Sequence, residues 1–425
     1  MTELAILGGT PVLASPLPPE RSVGAPELDA VRRVIESGSL SGFYGSWGPQ
    51  FLGGTFVREF EAAWAARFGV PHAVSVNSAT SGLYAALGAL GASPGDEIIV
   101  PPYTMSATVM APLVYGAIPV FVDIDQDTFC LDVEAVRAAI TPRTTGILAV
   151  NLFGHPAPLG ELRTLAREHG LWLVEDNAQG PLASENGTYA GTVGDIGVFS
   201  LNYHKHIHCG EGGVCVTRDP ELALRLQAIR NHAENIVAEA PIADPTNMVG
   251  FNYRLTELSA AVALAQLARA EEAVMRRQRV AERLSEGVRG LEGLIPPLVR
   301  EGCRHVYYLW ALRVDEEALG VSREAFSRAL AAEGFPHFVG YVRPLYMLPT
   351  FQRRIAIGRD GWPFTLTKRQ YHPGLCPVAE RMHERELIGF EPCAHRVDDA
   401  TADLLVEALR KVHAARESLL EPARL

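Results

Sequence analysis

The chain lacks cysteine pairs in any spacing that ligates a metal or cycles a disulfide. Its six cysteines, at 130, 209, 215, 303, 376 and 393, form no CxxC. This argues against zinc knuckles and thioredoxin-type pairs, and free thiols in a reducing cytoplasm are the simplest reading. Long apolar runs are also missing, since no stretch reaches the roughly 18 uninterrupted apolar residues of a membrane span. The opening Met1-Thr2-Glu3-Leu4-Ala5 carries no basic segment ahead of its short apolar stretch, which argues against a secretory signal. Positive charge is in deficit, 38 Lys+Arg against 49 Asp+Glu, giving a formal charge of −11. A generic nucleic-acid or anionic-membrane binder is therefore not expected. A phosphorylated small ligand stays possible, because backbone amides at a helix start hold phosphate without a basic surface. Low-complexity tracts and short-period repeats are absent, which argues against arrays and disordered scaffolds.

What is present suits a globular chain of two or three packed lobes: 425 residues, 48% hydrophobic and 20% charged. Residues 1–55 are rich in Gly, Pro and Ser with little periodicity and read as an extended N-terminal arm. From 56 to 255 short apolar runs alternate with helix-like stretches. The runs are His72–Val76, Ile98–Val100, Ile118–Val122, Gly146–Val150, Leu171–Val174, Ile196–Leu201 and Gly213–Thr217. Short continuous apolar strands separated by helices predict a mainly parallel sheet covered on both faces. Residues 256–425 read as one long linker helix, Thr256–Val288, and a smaller α+β domain with a strand at Tyr307–Val314 and a final helix near Asp399–His413. Residues 340–378 read as loop.

In a parallel sheet ligands sit beyond the C-terminal strand ends, and four features fall there. Asn77-Ser78-Ala79-Thr80-Ser81-Gly82 opens a helix, where free N–H groups and the helix dipole favour an anion, although ordinary N-capping by Ser or Thr is the simpler use of such a segment taken alone. Glu175-Asp176-Asn177-Ala178-Gln179 ends an apolar strand, so Asp176 is expected to be partly buried and to need a partner, although a solvated strand-end acid or a helix cap is the simpler use taken alone. Lys205 lies in the loop after Phe199-Ser200-Leu201 and before Gly210-Glu211-Gly212-Gly213. A lysine that forms an imine must leave its free pKa of about 10.4, and desolvation in such a loop achieves this. Most lone lysines are solvated, and the flanking apolar strand and glycine turn are what single this one out. The alternating His204, His206 and His208 share a face and permit a metal site geometrically, but no nearby acidic or cysteine ligands complete a set, so no metal is expected and loop packing or substrate contact is the better reading. Gly250-Phe251-Asn252-Tyr253-Arg254 is, by itself, a turn into a helix.

Taken together and in this order, the segments resemble the DegT/DnrJ/EryC1/StrS family of pyridoxal-phosphate-dependent sugar aminotransferases. The likeness runs from Leu7-Gly8-Gly9-Thr10-Pro11-Val12 to the final helix and includes Pro94–Pro101, Val122–Asp125, Gly194–Gly197 and Cys376–Glu380. Its most specific part is Phe199-Ser200 with lysine five residues after the serine, then Gly-Glu-Gly-Gly. The resemblance implies the type I fold of pyridoxal-phosphate transferases, with a seven-stranded sheet sandwiched by helices and a small C-terminal domain. It implies pyridoxal 5'-phosphate as cofactor, Lys205 as the lysine of the internal aldimine, Asp176 beside the pyridine nitrogen and Gln179 beside the phenolic oxygen. Ser200 and the 78–80 segment (Ser78, Ala79, Thr80) resemble the phosphate cup. Asn252 matches an asparagine that reaches the phosphate from a neighbouring subunit, implying a homodimer with shared sites.

Some positions depart from the family pattern. Ala79 replaces a glycine, and Asn177 and Asn202 stand at changed or variable positions. Met105 occupies the place where an aromatic usually stacks on the ring, a role that Tyr103 or the methionine sulfur would have to fill. Tyr308 and Tyr346 stand where histidine is frequent, which points to changes on the substrate side. The implied reaction moves an amino group from glutamate or glutamine to a ketone on a sugar, nucleotide-linked, or on a cyclitol. Arg353, Arg354 and Lys368 are loop candidates for a diphosphate handle. The alternatives are amination of a non-nucleotide ring ketone, a keto-sugar dehydratase (whose family members carry histidine in place of the lysine), and a regulator that binds the cofactor without turnover.

Overall fold

The computed structural model describes residues 3–420. Its larger sheet is built from β1 (His72–Val76), β2 (Glu97–Val100), β3 (Ile118–Phe121), β4 (Thr144–Val150), β5 (Trp172–Asp176), β6 (Ile196–Ser200) and β7 (Gly213–Thr217). The spatial order is β1-β7-β6-β5-β4-β2-β3. β2, β3, β4, β5 and β6 pair in parallel, while β7 runs antiparallel to both β1 and β6. Every residue of β2, β3, β6 and β7 is buried, as expected of strands covered on both faces.

The helices that pack on this sheet follow the alternation of the chain: α2 (Thr55–Phe68), α3 (Ala79–Ala89), α4 (Ala107–Val114), α6 (Leu159–Glu168) and α7 (Pro220–Arg230), with α1 (Ala25–Ser37) before them and α5 (Val133–Ala139) between α4 and α6. On α2 the residues Phe56, Val57, Phe60, Trp64 and Phe68 recur at three- and four-residue steps and are all buried. Trp64 stacks on Phe68 at 4.9 Å, and both rings meet Phe199 of β6, at 5.2 and 4.8 Å. This aromatic cluster fixes the strand that leads to Lys205. A second, antiparallel sheet holds β8 (Leu294–Ile295), β9 (Trp310–Val314), β10 (Phe338–Val339) and β11 (Leu387–Phe390) in the order β8-β9-β11-β10. It has its own core, with Trp310, Leu312, Phe326 and Leu409 buried.

Several expectations need correction. Residues 1–55 are not simply extended, because α1 lies within them. Its buried face is short, with Val34 in the core and Ala30 packed beside it, while Leu28 and Ile35 are 60% and 58% exposed, so its apolar pattern is weak. Buried Glu27 holds the same face, accepting from Gln266 Nε2 at 2.9 Å and from Arg269. The Thr256–Val288 stretch is two helices, α8 (Glu257–Leu267) and α9 (Ala270–Val288). Neither Gly nor Pro marks the break; at the joint Arg269 is drawn to Ser22 O and Glu27. The strand expected from Tyr307 starts at Trp310, since Tyr307 has a left-handed backbone (φ 50°) and the amides of Val306 and Leu309 go to Gly154 O and Phe153 O. The strand Leu387–Phe390 has no counterpart in the sequence reading.

Beneath β1 lies a buried ion pair. Arg230, fully buried, donates from Nη1 to Glu61 Oε1 at 2.6 Å, and the same oxygen accepts from Ser75 N and Oγ, each at 2.7 Å. Removing one member of such a pair strands the other charge in a low dielectric. Glu61→Ala is expected to destabilise the chain by about 3–5 kcal/mol in chemical denaturation. A loss below about 1 kcal/mol, the scale of an exposed pair, would show that Arg230 finds another partner.

Candidate active site

The ends of β1, β2, β4, β5 and β6, with the turn entering β7, surround one cavity of about 210 Å³. The sequence-predicted residues Ser78, Ala79, Thr80, Met105, Asp176, Gln179, Ser200 and Lys205 all line it. At one wall α3 begins. Ser78 is its N-cap and its Oγ accepts from Ser81 N at 3.0 Å, so the capping reading holds for that hydroxyl. Gly82 N is taken by Ser78 O. The Ala79 and Thr80 amides, in the first turn, have no carbonyl of a preceding turn to bind and sit where the helix dipole is positive. Ser200 Oγ joins this wall. A Cβ on Gly213 would lie 2.7 Å from Ala79 N, so glycine there is what lets β7 pass so close beneath the helix start.

Alternation along β5 separates its two acids. Glu175 points away and accepts from the amides of Gly191, Val193 and Gly194 at 2.5–2.7 Å. Asp176 faces the cavity, accepting from Thr108 Oγ1 at 2.7 Å and from Ala178 N at 3.1 Å. Burial pushes its pKa up, against the pull of Thr108, Ala178 and Lys205. Gln179 is held at both ends: Oε1 accepts from Phe153 N at 2.7 Å and Nε2 donates to Tyr341 Oη at 2.8 Å.

Lys205 is 9% exposed. Desolvation lowers its pKa to about 8, opposed by Asp176, Cys393 and Glu391. Its Nζ stands 4.1 Å from the centroid of the Tyr308 ring. Met105 is at the rim, 53% exposed, its sulfur taken up by Ala107 N at 3.0 Å. Tyr103 does not reach the cavity: it is fully buried and its hydroxyl accepts from Tyr341 N at 2.9 Å. Asn252 is exposed and outside this cavity, its carbonyl accepting from Asn77 Nδ2. Tyr346 is buried away from the cavity, bonded to Glu380, so of the two tyrosines only Tyr308 bears on it. The three histidines diverge, with His204 Nδ1 bonded to Tyr308 Oη, His206 Nε2 to Val306 O and His208 Nε2 to Ser22 Oγ. Thr108 and Tyr341 were not anticipated. Thr108 carries no local motif, and Tyr341 lies in the 340–378 loop, where no periodicity exists to read.

The sequence profile of the DegT/DnrJ/EryC1/StrS aminotransferase family matches residues 46–410. The chain belongs to this family. It is similar to an L-glutamine:2-deoxy-scyllo-inosose aminotransferase of Streptoalloteichus tenebrarius, at 36% identity over 96% of this chain and 97% of that protein. It is also similar to a GDP-perosamine synthase of Caulobacter vibrioides, at 35% identity over 78% and 87%. Among solved structures it resembles DesI, crystallised in the presence of its TDP-sugar product, with a TM-score of 0.80 and 30% identity over 98% and 97% of the two chains. The protein is thus a pyridoxal-phosphate-dependent aminotransferase of the type I fold, as the sequence implied.

The aminotransferase cavity fits that cofactor by its own chemistry. The free amides of Ala79 and Thr80 with Ser200 Oγ suit a phosphate. Asp176, buried with lone pairs to spare, suits a protonated pyridine nitrogen. The Lys205 amine, neutral above about pH 8, suits an aldehyde carbon. Two outcomes follow. Imine formation needs the uncharged amine, so uptake of pyridoxal phosphate by apoenzyme should accelerate about tenfold per pH unit below about 8 and level off above it, followed by absorbance in stopped flow. A rate flat from pH 6 to 9 would contradict the lowered pKa. Thr108→Val removes a donor to a buried carboxylate, a loss of about 1.5–3 kcal/mol; the cofactor should dissociate at least tenfold faster on dialysis.

Proposed function

We propose that the enzyme transfers an amino group from L-glutamine or L-glutamate to a ring ketone of a cyclitol or sugar, in two half-reactions that share one cavity. The observation that carries this reading is that Lys205, Asp176 and the residues Ala79 and Thr80 at the helix start line one cavity, with no ion pair between the amine and the carboxylate. Bound pyridoxal phosphate supplies an electron-poor ring next to the carbon that gains or loses the amino group. Asp176 keeps the proton on the pyridine nitrogen. With cofactor and donor bound, Lys205 Nζ would take up and return the proton that the reaction moves, a task suited to an amine whose pKa lies near working pH. Gln179 is locked by Phe153 and Tyr341 and orients the ring edge.

A free cyclitol ketone fits the acceptor side better than a nucleotide-linked one. Among the described residues lining the cavity, Lys205 is the only Lys or Arg. Of the loop candidates, Arg353 and Lys368 are exposed and off the cavity, and Arg354 spends its guanidinium on the carbonyls of Phe364 and Thr367 at 2.6 Å each. A diphosphate therefore finds no cation other than Lys205 among the described residues lining this cavity. The similarity to an inosose aminotransferase along nearly the whole chain supports the same choice. The nucleotide-linked sugar is the second reading, favoured by the likeness to DesI.

We further read the enzyme as a cytoplasmic homodimer. Asn252 faces outward, as suits a residue that completes a neighbour's phosphate site. All six cysteines are unpaired, as suits a reducing compartment.

The test is a pair of half-reactions. Glutamine should bleach the near-visible absorbance of the yellow holoenzyme, and an inosose should restore it while nucleotide-linked keto-sugars should not. Recovery with a nucleotide-linked keto-sugar alone would transfer the conclusion to the second reading. Lys205→Ala should lose the absorbance and turnover together, and retention of turnover would overturn the assignment.

A further inference from the structure

Among the described residues Lys205 Nζ feels Asp176, Cys393 and Glu391 only through their charge, with no hydrogen bond to any of them. It has a ring face instead, with the Tyr308 centroid 4.1 Å away. Tyr308 is 5% exposed, and its ring is fixed from the lysine's own loop. The hydroxyl is bonded to His204 Nδ1 at 2.9 Å, and two residues upstream Val306 O accepts from His206 Nε2 at 2.8 Å. That bond makes Nε2 the protonated nitrogen of His206 and leaves its Nδ1 buried without a partner. The backbone on either side of Tyr308 is pinned again, Val306 N to Gly154 O at 2.9 Å and Leu309 N to Phe153 O at 3.2 Å. The two histidines flanking Lys205 thus act as a clamp that draws the 306–308 segment against the lysine loop.

The clamp has a chemical use. An amine on a flexible four-carbon stem carries about 2 kcal/mol of rotamer entropy and wanders when nothing holds it. In the catalytic cycle Lys205 must leave the cofactor and yet remain poised beside it. We propose that Tyr308 is a positioning residue: its ring face is the resting place of Lys205 Nζ whenever that amine is not joined to the cofactor, and His204 and His206 hold the ring there. The proposal rests on the reading that Lys205 alternates between a bound and a free state.

The surroundings offer no competing rest. Asp176 from β5 and Glu391 and Cys393 from the segment after β11 attract the amine, but neither acid lies within ion-pair distance of it. His204 and His206 are held neutral by burial, their pKa values lowered to about 4 and about 3. The Tyr308 and Tyr341 phenols are pushed upward by burial and stay neutral as well. Glu211 is exposed at the cavity edge, bonded to Asn202 Nδ2 at 2.8 Å. A face of negative π density beside a partly desolvated ammonium is favourable under these conditions. This face belongs to the particular residue of this chain, a tyrosine where the family resemblance leads one to expect histidine.

The test reads Lys205 directly in the apoenzyme. Competitive labelling with acetic anhydride, scored at the Lys205 peptide by mass spectrometry, gives the midpoint at which the amine becomes reactive, about pH 8 in the unaltered chain. Tyr308→Leu should lower that midpoint by about one pH unit, because the charged amine loses its support. Tyr308→Phe, which keeps the face, should move it by no more than a few tenths. In the loaded enzyme Tyr308→Leu should slow the glutamine half-reaction about tenfold at saturation, with little change in the glutamine concentration needed. An unchanged midpoint in Tyr308→Leu overturns the proposal, and so does an equal shift in the Leu and Phe variants, which would assign the effect to the hydroxyl. If Tyr308→Leu does not fold, a pentafluorophenyl ring at position 308 keeps the shape and removes the negative face; the same downward shift is then required. The labelling result stands even if Lys205→Ala were to retain turnover, so failure of this inference and failure of the proposed function are read separately.

Discussion

The site depends on keeping an amine and a carboxylate buried on the same cavity without letting them meet. Lys205 and Asp176 are 9% and 5% exposed, and at such depth a charge without a partner is costly. Direct contact would neutralise the pair and close the space between them. The sheet prevents this by geometry: Asp176 is fixed by β5, whereas Lys205 leaves from the loop after β6. Each then receives its own partial support. The carboxylate takes a hydroxyl from Thr108 and an amide from Ala178. The amine takes an aromatic face, a weak stabiliser that leaves its pKa low enough for proton transfer. Bound pyridoxal phosphate would have, on the walls of one cavity, an amine for its aldehyde and a carboxylate for its ring nitrogen.

Much of this was legible because the information is local. Seven short apolar runs separated by helical stretches correspond to the seven strands of the larger sheet. Asp176, Ser200 and the 78–80 segment stand out because they follow those runs directly, and Lys205 because an apolar strand and a glycine turn bracket it. What escaped depends on distant partners. Helix α1 buries little apolar surface beyond Val34 and Ala30 and is secured by a buried glutamate that reaches Gln266 and Arg269, so only a weak stripe marks it. The break between α8 and α9 is a tertiary pull on an arginine in a sequence of good helix formers. Thr108 gains meaning only when α4 brings it to Asp176. Tyr341 is ordered by Gln179 and by the Tyr103 hydroxyl, in a loop without pattern of its own. Tyr103, attractive in the sequence because it is aromatic and near Met105, is drawn into the core between Phe153 and Tyr341.

The alternating histidines show how one pattern takes different uses. Three imidazoles at every second position look like a chelating edge, yet each finds a separate protein partner. Two of them stabilise the stretch that enters the smaller sheet, and neutral imidazoles suit this because a cation beside Lys205 would push its pKa lower still. Their neutrality therefore serves the electrostatics of the lysine as well as packing.

Residues 306–309 bind the two cores of the chain together at the point where the chemistry occurs. Val306, Tyr308 and Leu309 belong to the core of the larger sheet, while Tyr307 between them turns into the core of the smaller one, stacked on His305 at 3.9 Å. A left-handed backbone at Tyr307 is what lets neighbouring side chains face opposite cores. Just beyond, Trp310 begins β9 and donates from Nε1 to Ser285 of α9. The ring under Lys205 is therefore positioned by both halves of the molecule. A shift of the smaller sheet relative to the larger one therefore has a direct route to the amine through Tyr308, which couples the packing of the C-terminal part to the placement of a single nitrogen.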